Sequence, residues 1–276
     1  MEIALVTDST SDIPTDVAKM YDIHIVPTVI IMDGKSLEDG KGLSRQEFYE
    51  RLPQMNSFPT TAAPAVGAFE LLYDQLLRQG ATKIISIHVS SILSGVYNTA
   101  CLAAKAFKES INVFDSGQVT LGLGYQVIAV AEALRDGMDW KDIPQYLADL
   151  GQRARVLALL DTLEYVRRSG RVSWARARLG SLLQLKPLLE VNQGQVISLG
   201  EVRTRQKGIS RLKELTQELG PLERLAILHT NAEAEARLML ESLNIQIPHS
   251  PLIVHVTTVI GAHVGPKGLG VAAIVK

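Results

Sequence analysis

Cysteine is nearly absent from this sequence, and long apolar runs are missing. The 276 residues include one cysteine, Cys101, so an internal disulfide is excluded and the chain suits a reducing compartment. No window contains the ~18 uninterrupted apolar residues that a membrane-spanning helix needs. The N-terminal residues lack the basic and apolar segments of a signal peptide. We therefore expect a cytoplasmic protein without a membrane span.

Neither sign of charge dominates, and the usual signatures of catalysis are missing. Lys and Arg number 28 against 29 Asp and Glu, so the net charge of -1 gives no general attraction to nucleic acid. Ile92 stands where a Gly-x-Ser-x-Gly elbow around Ser94 would need its first glycine. No phosphate loop ending in Gly-Lys-Ser/Thr occurs, and the six histidines show no metal-ligand spacing. We expect no catalytic residues, nucleic-acid partner, metal or other cofactor.

Apolar residues, 46% of the chain, follow strand and helix patterns in alternation. Up to residue 155 this alternation predicts a mostly parallel sheet with helices on both faces. Further on, Leu188–Val191 and Val196–Leu199 flank the turn Asn192–Gln195 and predict a hairpin. We predict an α/β protein with two domains, a three-layer α/β/α domain at 1–155 and a smaller α+β domain at 156–276.

The stretch Ser90–Tyr97 stands where a buried strand is predicted to turn into a helix. Ser94 at that point either only caps the helix or helps the helix N-terminus to hold an anion. Polar turns at Thr7–Ser11 and Asp115–Gly117 also follow strands, and ligands of open α/β sheets bind at such ends. We expect these turns and the loop at Thr60-Thr61 to form a hydroxyl-rich site that suits an anion.

His263 stands in a glycine-rich segment between two predicted strands. Four glycines occur between Gly261 and Gly270. We predict a loop there, and it is either an ordinary tight turn or a set of backbone N–H groups that binds a ligand together with the histidine.

A basic cluster lies in the second half of this nearly neutral chain. Its members are Arg167, Arg168, Arg171, Arg176, Arg178, Arg203, Arg205 and Lys207. They form either a solvated face with internal ion pairs or a surface that docks a partner or phosphate groups.

Several short motifs together resemble the DegV family over nearly the whole chain. They are Thr7–Asp12, Pro59–Thr61, Ser91–Gly95, Leu160–Tyr165, Arg167–Arg171, Lys186-Pro187, Val202–Arg205 and Gly261–Pro266. The resemblance implies a lipid-binding protein, not an enzyme, that buries the acyl chain of a long-chain fatty acid. Some family members are the binding subunit of bacterial fatty acid kinase. They present the carboxylate to a separate ATP-dependent kinase, which makes acyl phosphate for phospholipid synthesis.

The resemblance also implies the residues that bind the carboxylate, because the family uses a Thr, a Ser and a His at matching positions. These are Thr61, Ser94 and His263 here. Ala62-Ala63 and Lys267 depart from the family pattern, so we expect differences in the fine structure of the headgroup pocket. We interpret Arg171, Arg203 and Arg205 as the candidate docking surface for the kinase.

Two other functions are compatible with the residues alone. One is an enzyme that acts on a small carboxylate or phosphate at the same strand ends, although the scarcity of acid/base pairs counts against it. The other is a purely regulatory or scaffold protein.

Overall fold

The computed structural model describes residues 2–171 and 185–276. Its strands are β1 (Ile3–Asp8), β2 (Ile23–Val26), β3 (Val29–Met32), β4 (Lys35–Glu38), β5 (Thr60–Ala62), β6 (Lys83–His88), β7 (Ile111–Asp115), β8 (Ala154–Leu159), β9 (Lys186–Asn192), β10 (Gln195–Val202), β11 (Leu222–His229), β12 (Leu252–His255) and β13 (Leu269–Val275). Its helices are α1 (Thr15–Met20), α2 (Arg45–Arg51), α3 (Val66–Arg78), α4 (Val96–Ala104), α5 (Leu121–Arg135), α6 (Ile143–Arg153), α7 (Glu164–Ser169), α8 (Arg205–Glu218), α9 (Glu233–Ser242) and α10 (Thr258–Val264).

The N-terminal half contains a fully parallel sheet in the strand order β2-β1-β6-β7. Helices α3, α4 and α5 pack against its buried β-branched residues, which confirms the predicted α/β class. Since β1, β6 and β7 are parallel neighbours, the polar turns that follow them meet at one edge. Pro27 marks the point where the chain leaves this sheet, because β2 belongs to it and β3 belongs to another.

The second half contains a six-stranded mixed sheet in the order β10-β9-β8-β13-β11-β12. The predicted hairpin is present as β9 and β10. Alternation along the strands divides its side chains between two cores: Leu157 and Leu159 pack with α8, whereas Val156 packs with α5. The part of the chain after residue 155 is shorter than the part before it, but its six-stranded sheet is larger than the four-stranded parallel sheet.

A three-stranded antiparallel sheet in the order β4-β3-β5 was not predicted from the sequence. Asp33 and Gly34 link β3 to β4 with φ angles of 52° and 72°, as a tight hairpin turn requires. Helix α2 covers this sheet with Phe48 and Tyr49, and Ala262 of α10 joins the same core. We call the sheet formed by β3, β4 and β5 the small sheet.

Helix α5 lies between the parallel sheet and the six-stranded sheet. Eleven of its 15 residues are buried. Tyr125 donates a hydrogen bond of 2.7 Å to the Leu225 carbonyl in β11, and a Cβ on Gly124 would lie 2.5 Å from the Ser11 carbonyl after β1. One hydrophobic core therefore includes residues from both sides of position 155, and the domain boundary there stays a prediction.

Within residues 2–171 and 185–276, no helix has both the length and the apolar character needed to cross a bilayer.

Candidate functional site

A cavity of about 230 Å³ lies where the carboxyl ends of β1 and β6 face the six-stranded sheet. Aliphatic side chains form most of its wall, among them Val89, Leu160, Leu189, Val191, Leu228 and Ile260. Among the described residues, its polar lining consists mainly of hydroxyl groups, with two histidines and one arginine. The cavity therefore offers a mostly apolar interior together with a few hydrogen-bond donors.

Thr61, Ser94 and His263 all line this cavity. Thr61 lies in β5, where it pairs with Ile30 of β3, so the predicted loop at this position was wrong. The Oγ1 atom of Thr61 is 2.9 Å from Nε2 of His263, although 202 residues separate them in sequence. The fold thus brings the three residues together, and their role in binding a ligand stays a prediction.

His263 lies in the last turn of α10, and the predicted glycine-rich loop was wrong at this position. The segment is helical because Val259 and Ala262 pack into the core beneath α2. Burial, with a smaller effect from Arg171, lowers the pKa of His263 to about 4. The imidazole is therefore neutral at pH 7, and its Nδ1 atom is buried with no hydrogen-bond partner among the described residues.

Ser94 stands one residue before the Gly95 N-cap of α4. Its Oγ accepts a long hydrogen bond of 3.4 Å from the Val96 N–H, and its own N–H donates to the Ser90 carbonyl at 3.0 Å. An Oγ that accepts one bond still has its proton to donate. The capping and anion-binding interpretations of Ser94 are therefore compatible with each other.

The departures from the family pattern fall at the cavity and beside it. Ala62 and Ala63 line it close to Thr61, so this part of the wall has two small apolar side chains. Lys267 is exposed, and it has a φ angle of 58°.

Arg171 lines the same cavity and is exposed to solvent, where it donates 2.6 Å to the Ser169 carbonyl. Arg203 is exposed just before α8. Arg205 instead forms two hydrogen bonds to Glu235, of 3.1 and 2.6 Å, which fits the internal ion-pair interpretation. Docking stays a prediction for these arginines, and Arg176 and Arg178 lie outside the described residues.

A buried polar chain that the sequence analysis missed lies beneath the cavity. Asp8 Oδ2 is 3.0 Å from His88 Nδ1, His88 Nε2 is 2.7 Å from Ser86 Oγ, and Ser86 bonds Tyr73 at 2.8 Å. Asp8 also accepts the N–H of Val89 at 3.1 Å. The signal in the sequence was the alternation of Ser86 and His88 in a predicted strand, but the partner Asp8 is 80 residues away.

This series of hydrogen bonds resembles the Ser-His-Asp arrangement of hydrolases, but its position does not suit catalysis. The side chains of Ser86, His88 and Asp8 are fully buried, and none of them lines the cavity. Its structural effect is to hold the loops after β1 and β6 together, because Asp8 binds the backbone of both Thr10 and Val89.

Among the described ranges, no group of three or more His, Cys, Asp or Glu residues has the arrangement of a metal site.

The fold and the cavity define a class, an α/β protein that encloses an apolar cavity with hydroxyl groups and a neutral imidazole in its wall. The chain belongs to the DegV family: a family model described as "Uncharacterised protein, DegV family" matches residues 2–276. It is 34% identical over 278 residues to Protein DegV of Bacillus subtilis, with 98% of each chain covered.

Solved structures show the same fold over the full length. One is a DegV family protein from Thermus thermophilus, which is described as binding fatty acid. It matches with a TM-score of 0.90 at 30% identity, over 100% of both chains. DegV of Bacillus subtilis, described as a fatty acid binding protein, matches with a TM-score of 0.87 at 32% identity, also over 100% of both chains.

Proposed function

We propose that the protein binds a long-chain fatty acid, with the acyl chain in the cavity and the carboxylate at Thr61, Ser94 and His263. The observation that carries this proposal is an aliphatic cavity whose wall includes the hydroxyls of Thr61 and Ser94 and the neutral imidazole of His263. The relatives from Thermus thermophilus and Bacillus subtilis, described as binding fatty acids, support it. Burial of the acyl chain supplies affinity at roughly 0.8 kcal/mol per methylene.

The Thr61–His263 hydrogen bond suits a carboxylate in one tautomer. A carboxylate taken out of water needs charge-assisted hydrogen bonds. With its proton on Nε2, His263 donates to Thr61 Oγ1, and the Thr61 hydroxyl proton is then free for the carboxylate. With its proton on Nδ1, that N–H would be buried with no acceptor among the described residues, which is costly. We infer the Nε2–H form, in which His263 acts through Thr61.

Ser94 supplies the second hydroxyl donor of the proposed headgroup site. The N-terminus of α4 directly after it adds a favourable partial positive charge. Arg171, which lines the cavity, is exposed, so solvent and salt screen its charge. Neutral donors therefore hold the carboxylate, and its oxygen keeps enough nucleophilicity to react.

We further propose that the protein is the non-catalytic subunit that presents the carboxylate to a separate ATP-dependent fatty acid kinase for acyl phosphate formation. Ala62 and Gly95, which neighbour Thr61 and Ser94, are exposed, so this part of the cavity lies near the surface. A partner can approach the headgroup there while the acyl chain stays buried.

Lipid extraction tests the binding proposal directly. The purified protein is denatured, its lipids are extracted and analysed by mass spectrometry, and the delipidated protein is titrated with oleate. We expect stoichiometric release and re-uptake of a long-chain fatty acid. If the protein neither releases nor takes up a fatty acid, the proposal is refuted. Turnover of a small carboxylate or phosphate ester would instead favour the alternative function, an enzyme that acts on such substrates.

Incubation with ATP and Mg²⁺ tests the division of labour. We expect the isolated protein to form no acyl phosphate from bound oleate, and to form it once the partner kinase is added. Acyl phosphate made by the protein alone would show that it is itself the kinase.

A further inference from the structure

The first turn of helix α10, the helix that carries His263, is hydrogen-bonded to a buried carboxylate that no sequence motif indicated. Asp39 follows β4 and is almost fully buried. Its Oδ1 accepts a hydrogen bond of 2.9 Å from the Thr258 hydroxyl, and its Oδ2 accepts one from the Thr257 hydroxyl. The carboxylate therefore binds two consecutive side chains at the first turn of α10.

The position of Asp39 is itself fixed by the sheet that contains Thr61. The Asp39 N–H donates a hydrogen bond of 2.8 Å to the carbonyl of Thr28, directly before β3. Strand β3 pairs with β5, in which Thr61 lies. Contacts therefore connect Thr61 through the small sheet to Asp39, and Asp39 to helix α10. That helix carries His263, which in turn is hydrogen-bonded to Thr61 at 2.9 Å.

Other contacts limit the ways in which α10 can move. Asp12 accepts the Thr257 N–H at 2.8 Å, and Arg45 lies 3.2 Å from the same carboxylate oxygen. The Tyr49 hydroxyl donates 3.0 Å to the Val256 carbonyl just before the helix. These contacts hold the segment that leads into α10, whereas Asp39 is the described residue that binds both hydroxyls at the start of the helix.

We propose that Asp39 is a positioning residue for the headgroup site, which sets the Thr61–His263 hydrogen bond through Thr257, Thr258 and helix α10. This inference rests on the proposed binding of a fatty acid carboxylate at that hydrogen bond. A carboxylate is needed because it accepts two hydroxyl protons at once, whereas an amide has one acceptor oxygen.

A double-mutant cycle separates positioning from general stabilisation. Oleate affinity is measured for the wild type, Asp39→Asn, His263→Ala and the double variant. We expect each single change to weaken binding by roughly tenfold, and the double variant to bind no more weakly than His263→Ala. Losses that simply multiply would overturn the inference, because Asp39 would then not act through His263.

Two control variants rule out nonspecific effects. Glu38→Gln changes the exposed neighbouring carboxylate, and Thr216→Val removes a buried hydroxyl of α8 that donates to the Leu212 carbonyl. Both should leave the oleate affinity unchanged. If Asp39→Asn fails to fold, Thr258→Ala removes one of its bonds and Thr258→Ser keeps it, so only the former should weaken binding. Equal affinity of these two variants would also overturn the inference.

A measurement without lipid distinguishes failure of this inference from failure of the proposed function. The pKa of His263 is followed by NMR in the apo protein, where burial keeps it at about 4. Asp39→Asn should raise it toward the ordinary value, because a loosened helix admits water, and Glu38→Gln should not. An unchanged pKa overturns the positioning role. A raised pKa in a protein that binds no oleate supports it and rejects only the proposed function.

Discussion

At the scale of single residues, the hydroxyls of Thr61 and Ser94 carry the most direct prediction. If the proposed site is correct, Thr61→Val and Ser94→Ala each remove a donor to the carboxylate, a loss of about 1.5–3 kcal/mol, or at least tenfold in Kd. Isothermal titration with oleate measures the change. Thr60→Val, on the exposed face of the same strand, is the matched control. An unchanged Kd in the Thr61→Val, Ser94→Ala double variant would contradict the assignment.

Asp12 gives a prediction about pH. Burial raises its pKa from 3.8 to about 6, against the opposing effect of Arg45. An acid whose pKa is raised in the folded state stabilises the fold below its unfolded pKa and loses that contribution as pH rises to the folded pKa. About two pKa units amount to ~3 kcal/mol. From pH 4 to pH 7, which covers most of this range, Asp12→Asn should therefore gain about 2 kcal/mol in unfolding free energy relative to the wild type.

Urea denaturation across this pH range measures the difference between the two proteins. The histidines with lowered pKa are common to both and cancel in that difference. The exposed Asp136→Asn variant is the control, and its difference from the wild type should hardly vary with pH. A relative stability of Asp12→Asn that falls as pH rises would contradict the prediction.

The hydroxyls that we propose as donors could be predicted from the sequence, but Asp39, which we propose to position the site, could not. Ser94 follows a strand pattern and precedes a helix pattern, which are local signals, and the family resemblance pointed to Thr61 and His263. Asp39 reaches its partner Thr258 across 219 residues. Such pairs depend on the complete fold, so no spacing within the chain indicates them.

At the scale of elements, helix α10 depends on the absence of a side chain at Gly261. A Cβ there would lie 2.3 Å from the hydroxyl oxygen of Tyr49. Gly261→Ala should push α10 away from α2, cost about 1–3 kcal/mol of stability and weaken oleate binding through His263. Thermal unfolding and titration with oleate measure both effects.

Gly67 provides the comparison for this substitution. It lies in α3, and a Cβ there would meet nothing within 4 Å. Gly67→Ala should be neutral or stabilise the protein by up to about 1 kcal/mol, because alanine favours the helix. Equal behaviour of the two variants would show that the approach of Tyr49 to α10 does not matter.

Glycine also explains why the sequence was misinterpreted at this element. The glycines around His263 suggested a loop, but Gly261 permits close helix packing. The small sheet was missed for another reason: β4 is mostly exposed and β5 has three residues, so neither shows a clear apolar alternation. The Asp33-Gly34 turn was the available signal of a hairpin. The long buried strands and the β9–β10 hairpin, by contrast, have patterns strong enough to predict.

At the scale of the whole molecule, the arginines separate into structural and candidate docking residues. Arg205→Ala should lower the melting temperature, because it breaks the partly buried pair with Glu235. Arg203→Ala should leave melting and oleate binding intact but slow phosphorylation by the partner kinase, most of all at low salt. A normal phosphorylation rate in Arg203→Ala at low salt would place the docking surface elsewhere.

The burial of α5 between two sheets has a consequence for unfolding. Separation of the halves would expose a mostly apolar helix surface to water on one side or the other, so neither half keeps its core alone. Calorimetry should show one cooperative transition with equal calorimetric and van't Hoff enthalpies, and a fragment of residues 1–155 should aggregate. Two resolved transitions would contradict this. A single transition, by contrast, would mean that position 155 marks a change in sequence pattern inside one cooperative folding unit.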